Sequence, residues 1–504
     1  MSRTGRFFKN IKIALAFQAI ETVVRFFCRM VFVSVLTREY LGLNGIFSNI
    51  ISVLSLAELG VGTAITYSLY KPLAEGNREQ IAGLMALFRR LYWVIGSVIA
   101  VLGVALTPLL PVLIRKLPDI PNIQLMYLLF VLNSAVSYFF SYKQMLLTAD
   151  QRGYIVTICG DGISVLMQIV QALFLWLTKE YFVYLGVSIA ATLIRNIVLS
   201  CVVDRIYPFL GQGNADSLPG SVKQEILRNI KALLFHKIGG VVVLATDNLL
   251  ISGFVGVVAV GLYSNYQMIT NRLNAIYGQF YKVLIASVGN LGATENTKHS
   301  LEVFWRLNLV GNWLYGFSTV CLTVLMNPFI ELWLGNDYLF GQGIVCLIAL
   351  NFYVTGMRRI MTTFREGYGL YWYDRYKPVA ESIINLGTSI ALAIPFGVAG
   401  ILAGTFIGTM LTSFWIEPLV LFKYGFHASV KPFFRNYAVN TLTTVVTIVL
   451  VWNLCMLLPG EGLLRFAAEM VVCAVLGNLG YLIAYLRRDE FKFFLQLLRH
   501  RISR

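Results

Sequence analysis

Residues Ile11–Leu36 read IKIALAFQAIETVVRFFCRMVFVSVL. A helix of about 20 apolar residues crosses the hydrocarbon core of a bilayer, and this run is long enough. It nevertheless carries Glu21, Arg25 and Arg29 one helical turn apart on a single face. A cation near the bilayer centre costs at least about 2.5–3.5 kcal/mol on insertion scales. Two of them, with one carboxylate beside them, predict a polar interior that binds or passes something charged.

The rest of the chain extends this reading. Of 504 residues, 57% are hydrophobic and 13% are charged, and the mean hydropathy is +0.71. Soluble domains carry about 25% charged residues, so the composition defines an integral membrane protein. Fourteen apolar runs have spanning length: 11–36, 43–70, 91–114, 122–148, 154–177, 182–204, 232–254, 262–285, 307–329, 343–366, 378–396, 398–422, 436–458 and 463–486. They are longer than the strands of a membrane barrel and do not alternate apolar with polar residues, so the expected fold is all-α. The first is too long and too charged for a cleaved signal peptide. All seven cysteines lie in or beside these runs, with no C-x-x-C. That suits small packing residues rather than disulfides or a metal site.

The net charge is +16, and its placement decides its meaning. With the N-terminus inside, 32 of the 41 Lys and Arg residues fall on the cytoplasmic side and 4 on the outer side. The remaining five, Arg25, Arg29, Arg195, Arg272 and Arg465, are assigned to neither side. This asymmetry follows the positive-inside rule and places both termini in the cytoplasm. The basic excess sets topology and meets anionic headgroups. No soluble basic domain is left to bind nucleic acid.

The longest loop, Arg205–Lys231, separates six runs from the remainder. The segments flanking it match at an ungapped offset of 219. Asn10-Ile11-Lys12 pairs with Asn229-Ile230-Lys231, Gly42-Leu43 with Gly261-Leu262, Ile50 with Ile269, and Ala74 and Asn77 with Ala293 and Asn296. Six is even, so both copies enter the membrane in one orientation, related by an axis along its normal. The expected organisation is a six-helix bundle over 1–210 and a cytoplasmic linker over 211–228. A second six-helix bundle follows over 229–425, then two helices and a basic tail over 426–504. Two bundles around a central cavity suit alternating access.

Several runs carry polar stripes. In the second, Asn44, Ser48, Ser52 and Ser55 share a face, with Asn49 beside them and Glu58 following. In the eighth, Asn265, Arg272 and Gln279 recur every seven residues. Helix-to-helix hydrogen bonds explain the uncharged members as readily as a ligand does, whereas intramembrane charges are functional by default. Arg25, Arg29 and Arg272 therefore point to an anion, phosphate first, because a guanidinium stays ionised and pairs bidentately with phosphate. Glu21 is spaced to hold Arg25. Arg195 is a further candidate, with Asp204 or Asp161 as its partner. Asp247 and Asn248 lie in the seventh run, Glu381 and Asn385 in the eleventh, and Thr405 and Thr409 in the twelfth. Their oxygens could hold Na⁺ or a proton, or could simply bond helices together. Gly400, Gly404 and Gly408 predict close helix packing. His236-Lys237 is assigned to the cytoplasmic charge belt.

The sequence contains no P-loop, no metal-spaced His or acidic cluster, and no G-x-S-x-G. No cofactor is expected beyond a coupling ion, and ATP hydrolysis within this chain is excluded. A membrane-embedded polymerase or ligase would need a sizeable outer loop with catalytic residues. The longest outer loop here, Pro328–Gln342, holds two acids and no Lys, Arg or His.

Three segments resemble bacterial polysaccharide flippases, the polysaccharide transporter family of the multidrug/oligosaccharidyl-lipid/polysaccharide (MOP) exporter superfamily. They are Tyr40-Leu41-Gly42-Leu43-Asn44-Gly45, Leu56-Ala57-Glu58-Leu59-Gly60-Val61-Gly62 and Tyr70-Lys71-Pro72-Leu73-Ala74. Asn327-Pro328-Phe329-Ile330-Glu331-Leu332-Trp333-Leu334-Gly335 is similar to the same family's pattern before its tenth span. The resemblance implies a non-enzymatic flippase of the bacterial cytoplasmic membrane. Such proteins turn undecaprenyl-diphosphate-linked oligosaccharide from the cytoplasmic to the outer leaflet and work beside polymerase and assembly proteins. It also implies a cationic cavity with arginines on helices one and eight, where Arg25, Arg29 and Arg272 lie. Some relatives couple to Na⁺ through an Asp on helix seven and polar groups on helices eleven and twelve, which here suggests Asp247, Asn385 and Thr405. A multidrug exporter of the same superfamily is the alternative, and the arginines argue against its cationic cargo.

Overall fold

A computed structural model describes residues 3–58, 61–114, 118–213, 218–220, 222–224, 226–227, 230 and 246–502. His236, Lys237 and most of the seventh run lie outside the described residues, as do Asn229, Lys231, Leu59, Gly60, Arg115 and Lys116. Every regular element among the described residues is helical. The chain divides into two units, Met1–Gly261 and Leu262–Arg504. The break falls inside a helix, C-terminal to the 211–228 stretch.

The first unit contains α1 (Arg3–Val35), α2 (Arg38–Leu54), α3 (Val61–Glu75), α4 (Arg78–Leu106), α5 (Ile123–Ala149), α6 (Gly162–Thr178) and α7 (Tyr181–Ile206). Residues 246–254 are helical, and α8 (Val257–Thr294) begins in this unit. The expected continuous run 43–70 is interrupted: α2 stops at Leu54, a 3₁₀ turn covers Ser55–Glu58, and α3 resumes at Val61. Ser52 and Ser55 donate to the carbonyls of Ser48 and Ile51 at 2.9 and 2.8 Å. Such back-bonding weakens and bends a helix.

The repeat has a structural basis. The Asn77 side chain accepts from Gln80 N at 3.0 Å and starts α4. Asn296 accepts from His299 N at 2.8 Å and starts the second unit's α9 (Thr297–Leu334). Both are helix N-caps, which favour Asn. Gly42 and Gly261 also share a reason. Within the first unit a Cβ on Gly42 would strike the Val257 carbonyl, and one on Gly261 would lie 2.9 Å from Gly42 N.

The second unit continues with α10 (Gln342–Met357), α11 (Arg359–Gly367), α12 (Lys377–Leu411), α13 (Ser413–Val420), α14 (Lys431–Met456), α15 (Gly462–Tyr485) and α16 (Asp489–Ile502). α12 folds back on itself at Gly397, whose φ of 56° and ψ of −129° glycine adopts most readily. Its arms run antiparallel. A Cβ on Gly408 would sit 3.0 Å from Asn385 Cβ, and Cβ atoms on Gly404 and Gly400 would strike Ser389 and the Leu392 carbonyl. The Gly400-x-x-x-Gly404-x-x-x-Gly408 motif is thus the contact line of a helical hairpin, as its spacing predicts. Cys455 and Cys473 pack among Val320, Val324 and Val451, between α9, α14 and α15.

Nine helical stretches among the described residues are long and apolar enough to cross a bilayer, which makes this a multi-pass membrane protein; both arms of the hairpin lie in one 49-residue stretch, Lys377–Gly425. The difference from fourteen runs has physical causes. α1 and α8, at 33 and 38 residues, have the length but are less apolar. The second run is broken, the seventh is only partly described, and the eleventh and twelfth are joined at Gly397.

Candidate functional site

In the first unit α1 lies along α6. Cys28 Sγ donates to the Gln168 carbonyl at 3.3 Å, and a Cβ on Gly162 would sit 3.5 Å from Phe17. This pairing aims the charged face of α1 toward α7 and toward the turn before α6. Arg25 Nη2 and Nε reach Glu21 Oε1 at 2.6 and 2.8 Å. Arg29, one turn on and half-buried, lies within electrostatic reach of Arg25 and of Tyr184 on α7.

Arg195 of α7 joins the same group. Residues Val156–Asp161 form a π-helical turn, a form that recurs at functional sites, and it carries Asp161 to 3.5 Å from Arg195 Nη2. Gly160 makes this possible, since a Cβ there would lie 3.2 Å from the same nitrogen and 2.9 Å from Leu199 Cδ1. Asp161 is also within electrostatic reach of Glu21. Of the two partners expected for Arg195, the structure selects Asp161. Asp204 instead accepts from Lys143. Arg25, Arg29 and Arg195 thus lie near two carboxylates, Glu21 and Asp161, among the described residues. The Arg25, Asp161 and Arg195 side chains are 46%, 45% and 28% exposed. The Arg25 and Arg195 guanidinium groups are thus partly exposed, whereas Arg29 is more enclosed.

Other first-unit candidates sit elsewhere. Glu58 accepts from the buried Tyr92 hydroxyl at 3.0 Å, beside the break between α2 and α3. Asn49 donates to the Gly45 carbonyl of its own helix at 2.6 Å. Asp247 is half-buried in the 246–254 helix.

In the second unit α8 carries Arg272, half-buried, and Asn265, fully buried with neither side-chain polar atom hydrogen-bonded. Asn265 is an orphaned amide, which marks a place where a polar ligand would be satisfied. Asn385 Nδ2 donates to Thr405 Oγ1 at 3.2 Å across the hairpin. That brings together two of the three residues expected to couple an ion, while Asp247 belongs to the first unit.

A buried charge cluster forms around Glu417, and of its members the sequence pointed only to Glu381 and Thr409. Glu417 accepts from Arg358 Nε and Nη2 at 2.9 Å each and from Lys377, and Arg365 lies 3.7 Å away. Arg365 also pairs with Asp374. Glu381 lies 3.4 Å from Arg358 and accepts from Thr409 and Ser413 at 3.2 and 2.6 Å. One signal for it was present, namely Glu417 as an acid inside the apolar run 398–422.

No family model matches the sequence, and no curated protein matches it either. Solved structures share the fold. Among them are membrane transporters and a lipid II flippase. A multidrug resistance MATE family transporter of the MOP superfamily, in an inward-facing conformation, matches with a TM-score of 0.65 at 12% identity, over 82% of this chain and 97% of its own. Lipid II flippase MurJ, inward closed, matches with a TM-score of 0.66 at 13% identity, over 94% of this chain and 99% of its own. A mutant of the Vibrio cholerae MATE transporter VcmN matches with a TM-score of 0.60 at 13% identity, over 85% of this chain and 98% of its own.

Proposed function

We propose that this protein is a flippase for undecaprenyl-diphosphate-linked oligosaccharide in the bacterial cytoplasmic membrane, with fourteen spans and both termini in the cytoplasm. The observation that carries the reading is the cluster of Arg25, Arg29 and Arg195 around Glu21 and Asp161. A diphosphate bridging these groups gains charge-assisted, bidentate hydrogen bonds. Arg272, Asn265, Glu58 and Asn49 are proposed as further substrate contacts, each to be tested separately. The likeness to a lipid II flippase over 94% of this chain supports a lipid-linked cargo. Alternating access is proposed to be driven by Na⁺ or H⁺ through Asp247, Asn385 and Thr405, and the product to pass to polysaccharide polymerase and assembly proteins.

Arg29→Ala and Arg272→Ala should each abolish surface polysaccharide while the protein stays in the membrane at normal abundance. Normal polysaccharide in both variants would overturn the proposal. The fold is equally that of MATE transporters, so export of a cationic drug is the competing reading. The clustered arginines oppose it, and drug susceptibility of a deletion strain separates the two.

A further inference from the structure

At the end of the first unit where α4 starts and α5 and α7 finish, a pocket of about 280 Å³ opens. The charge asymmetry of the sequence assigns this end to the cytoplasm, and none of the arginine cluster lines the pocket. On one wall, Lys143 of α5 donates to Ser200 Oγ at 2.6 Å and to both Asp204 oxygens at 2.7 and 2.6 Å. An ammonium has three donors, so Lys143 is saturated and Asp204 is neutralised. Arg89 of α4 lines the same pocket, is exposed, and forms no ion pair among the described residues. The Tyr142 hydroxyl beside it, within electrostatic reach of Arg89, has no hydrogen-bond partner among them.

The opposite wall is the segment that leaves α7, and it is fixed at both ends. The Tyr207 hydroxyl donates to Asp150 Oδ2 at 2.6 Å, and Arg152 holds Asp150 at 2.7 Å. The Arg78 guanidinium lies 5.7 Å over the Phe209 ring. Gly213 rests so closely on α4 that a Cβ would strike the Ala82 carbonyl. The pocket is therefore preformed, carries one positive charge with no ion-pair partner among the described residues, and offers a planar fork of donors plus a phenol.

We propose that it binds a phosphate ester, with Arg89 as the anchoring fork and Tyr142 as a second donor. Basic pockets between membrane helices on the cytoplasmic side suit phospholipid headgroups, and a soluble phosphate ester offers the same chemistry. The test is native mass spectrometry of the full-length protein in mild detergent, titrated with phosphatidylglycerol and, separately, with glycerol 3-phosphate. Losing a charge-assisted contact should weaken binding about tenfold in Arg89→Ala, with a smaller loss in Tyr142→Phe. Phosphatidylglycerol bound tightly and not displaced by glycerol 3-phosphate supports the lipid source. Displacement supports the soluble one. Wild-type protein that binds neither, or Arg89→Ala protein that binds whichever of the two wild type binds as tightly as wild type does, would overturn the proposal.

Discussion

Replacing Glu417 with Gln removes one negative charge from a site that is 1% exposed and keeps the side chain's shape. Arg358, Arg365 and Lys377 are balanced there by Asp374, Glu381 and Glu417. The amide leaves one cation in excess and weakens the bidentate contact from Arg358, whose two nitrogens lie 2.9 Å from the Glu417 oxygens. Breaking a buried pair from one side costs about 3–5 kcal/mol, because an uncompensated charge is stranded. The double variant Arg358→Met/Glu417→Leu removes one charge of each sign and restores the balance. It should therefore be less destabilised than Glu417→Gln alone, since apolar replacement of a buried pair is often near neutral. The assay is equilibrium unfolding of purified protein, titrating SDS into a mild detergent. A loss below about 1 kcal/mol for Glu417→Gln, against the 3–5 expected, would refute the reasoning. So would a double variant as unstable as the two single changes added together.

Three further outcomes follow from particular contacts. Gly404→Val places a branched side chain against Ser389 in the hairpin and should sharply reduce the protein's abundance in membranes. Gly387→Ala, with nothing within 4 Å of the added carbon, should leave it unchanged. Asn77→Ala and Asn296→Ala should each lose about 1 kcal/mol in thermal unfolding, and the Gly variants only a few tenths, because both residues cap helices. Gly160→Val intrudes on Arg195, 3.2 Å from the added Cβ, and should lower surface polysaccharide while membrane abundance stays normal. Unchanged polysaccharide would show that the position of Arg195 is immaterial.

What the sequence revealed was periodic or costly. Glycines at intervals of four gave away the hairpin contact because only absent side chains allow that approach. Glu21, Arg25 and Arg29 stood out because charge in hydrocarbon is expensive, and their spacing alone predicted the Glu21–Arg25 pair. The repeat match at Asn77 and Asn296 was readable as an identity, but its cause, helix capping, needed the backbone. Other features depend on tertiary geometry. The π-helical turn at Val156–Asp161 has no periodic signature, yet it decides which aspartate meets Arg195. The Arg358–Glu417 pair spans 59 positions and forms only because a chain reversal brings those positions together. The same run of basic residues reads, in one dimension, as an ordinary cytoplasmic belt.

The reversal at Gly397 also bears on how the chain is made. The tip of the hairpin, Ile394-Pro395-Phe396-Gly397-Val398, holds no charge, whereas Lys377 and Lys423 stand at its two feet. A translocating machine meets no polar loop to thread between the arms, so both can enter the lipid together as one wedge. Their inner glycines need not be presented to lipid singly. With the feet on the cytoplasmic side, as the positive-inside rule expects, flipping either arm alone would drag a lysine through hydrocarbon. A charge at each foot thus opposes inversion of the hairpin from both ends as the chain inserts.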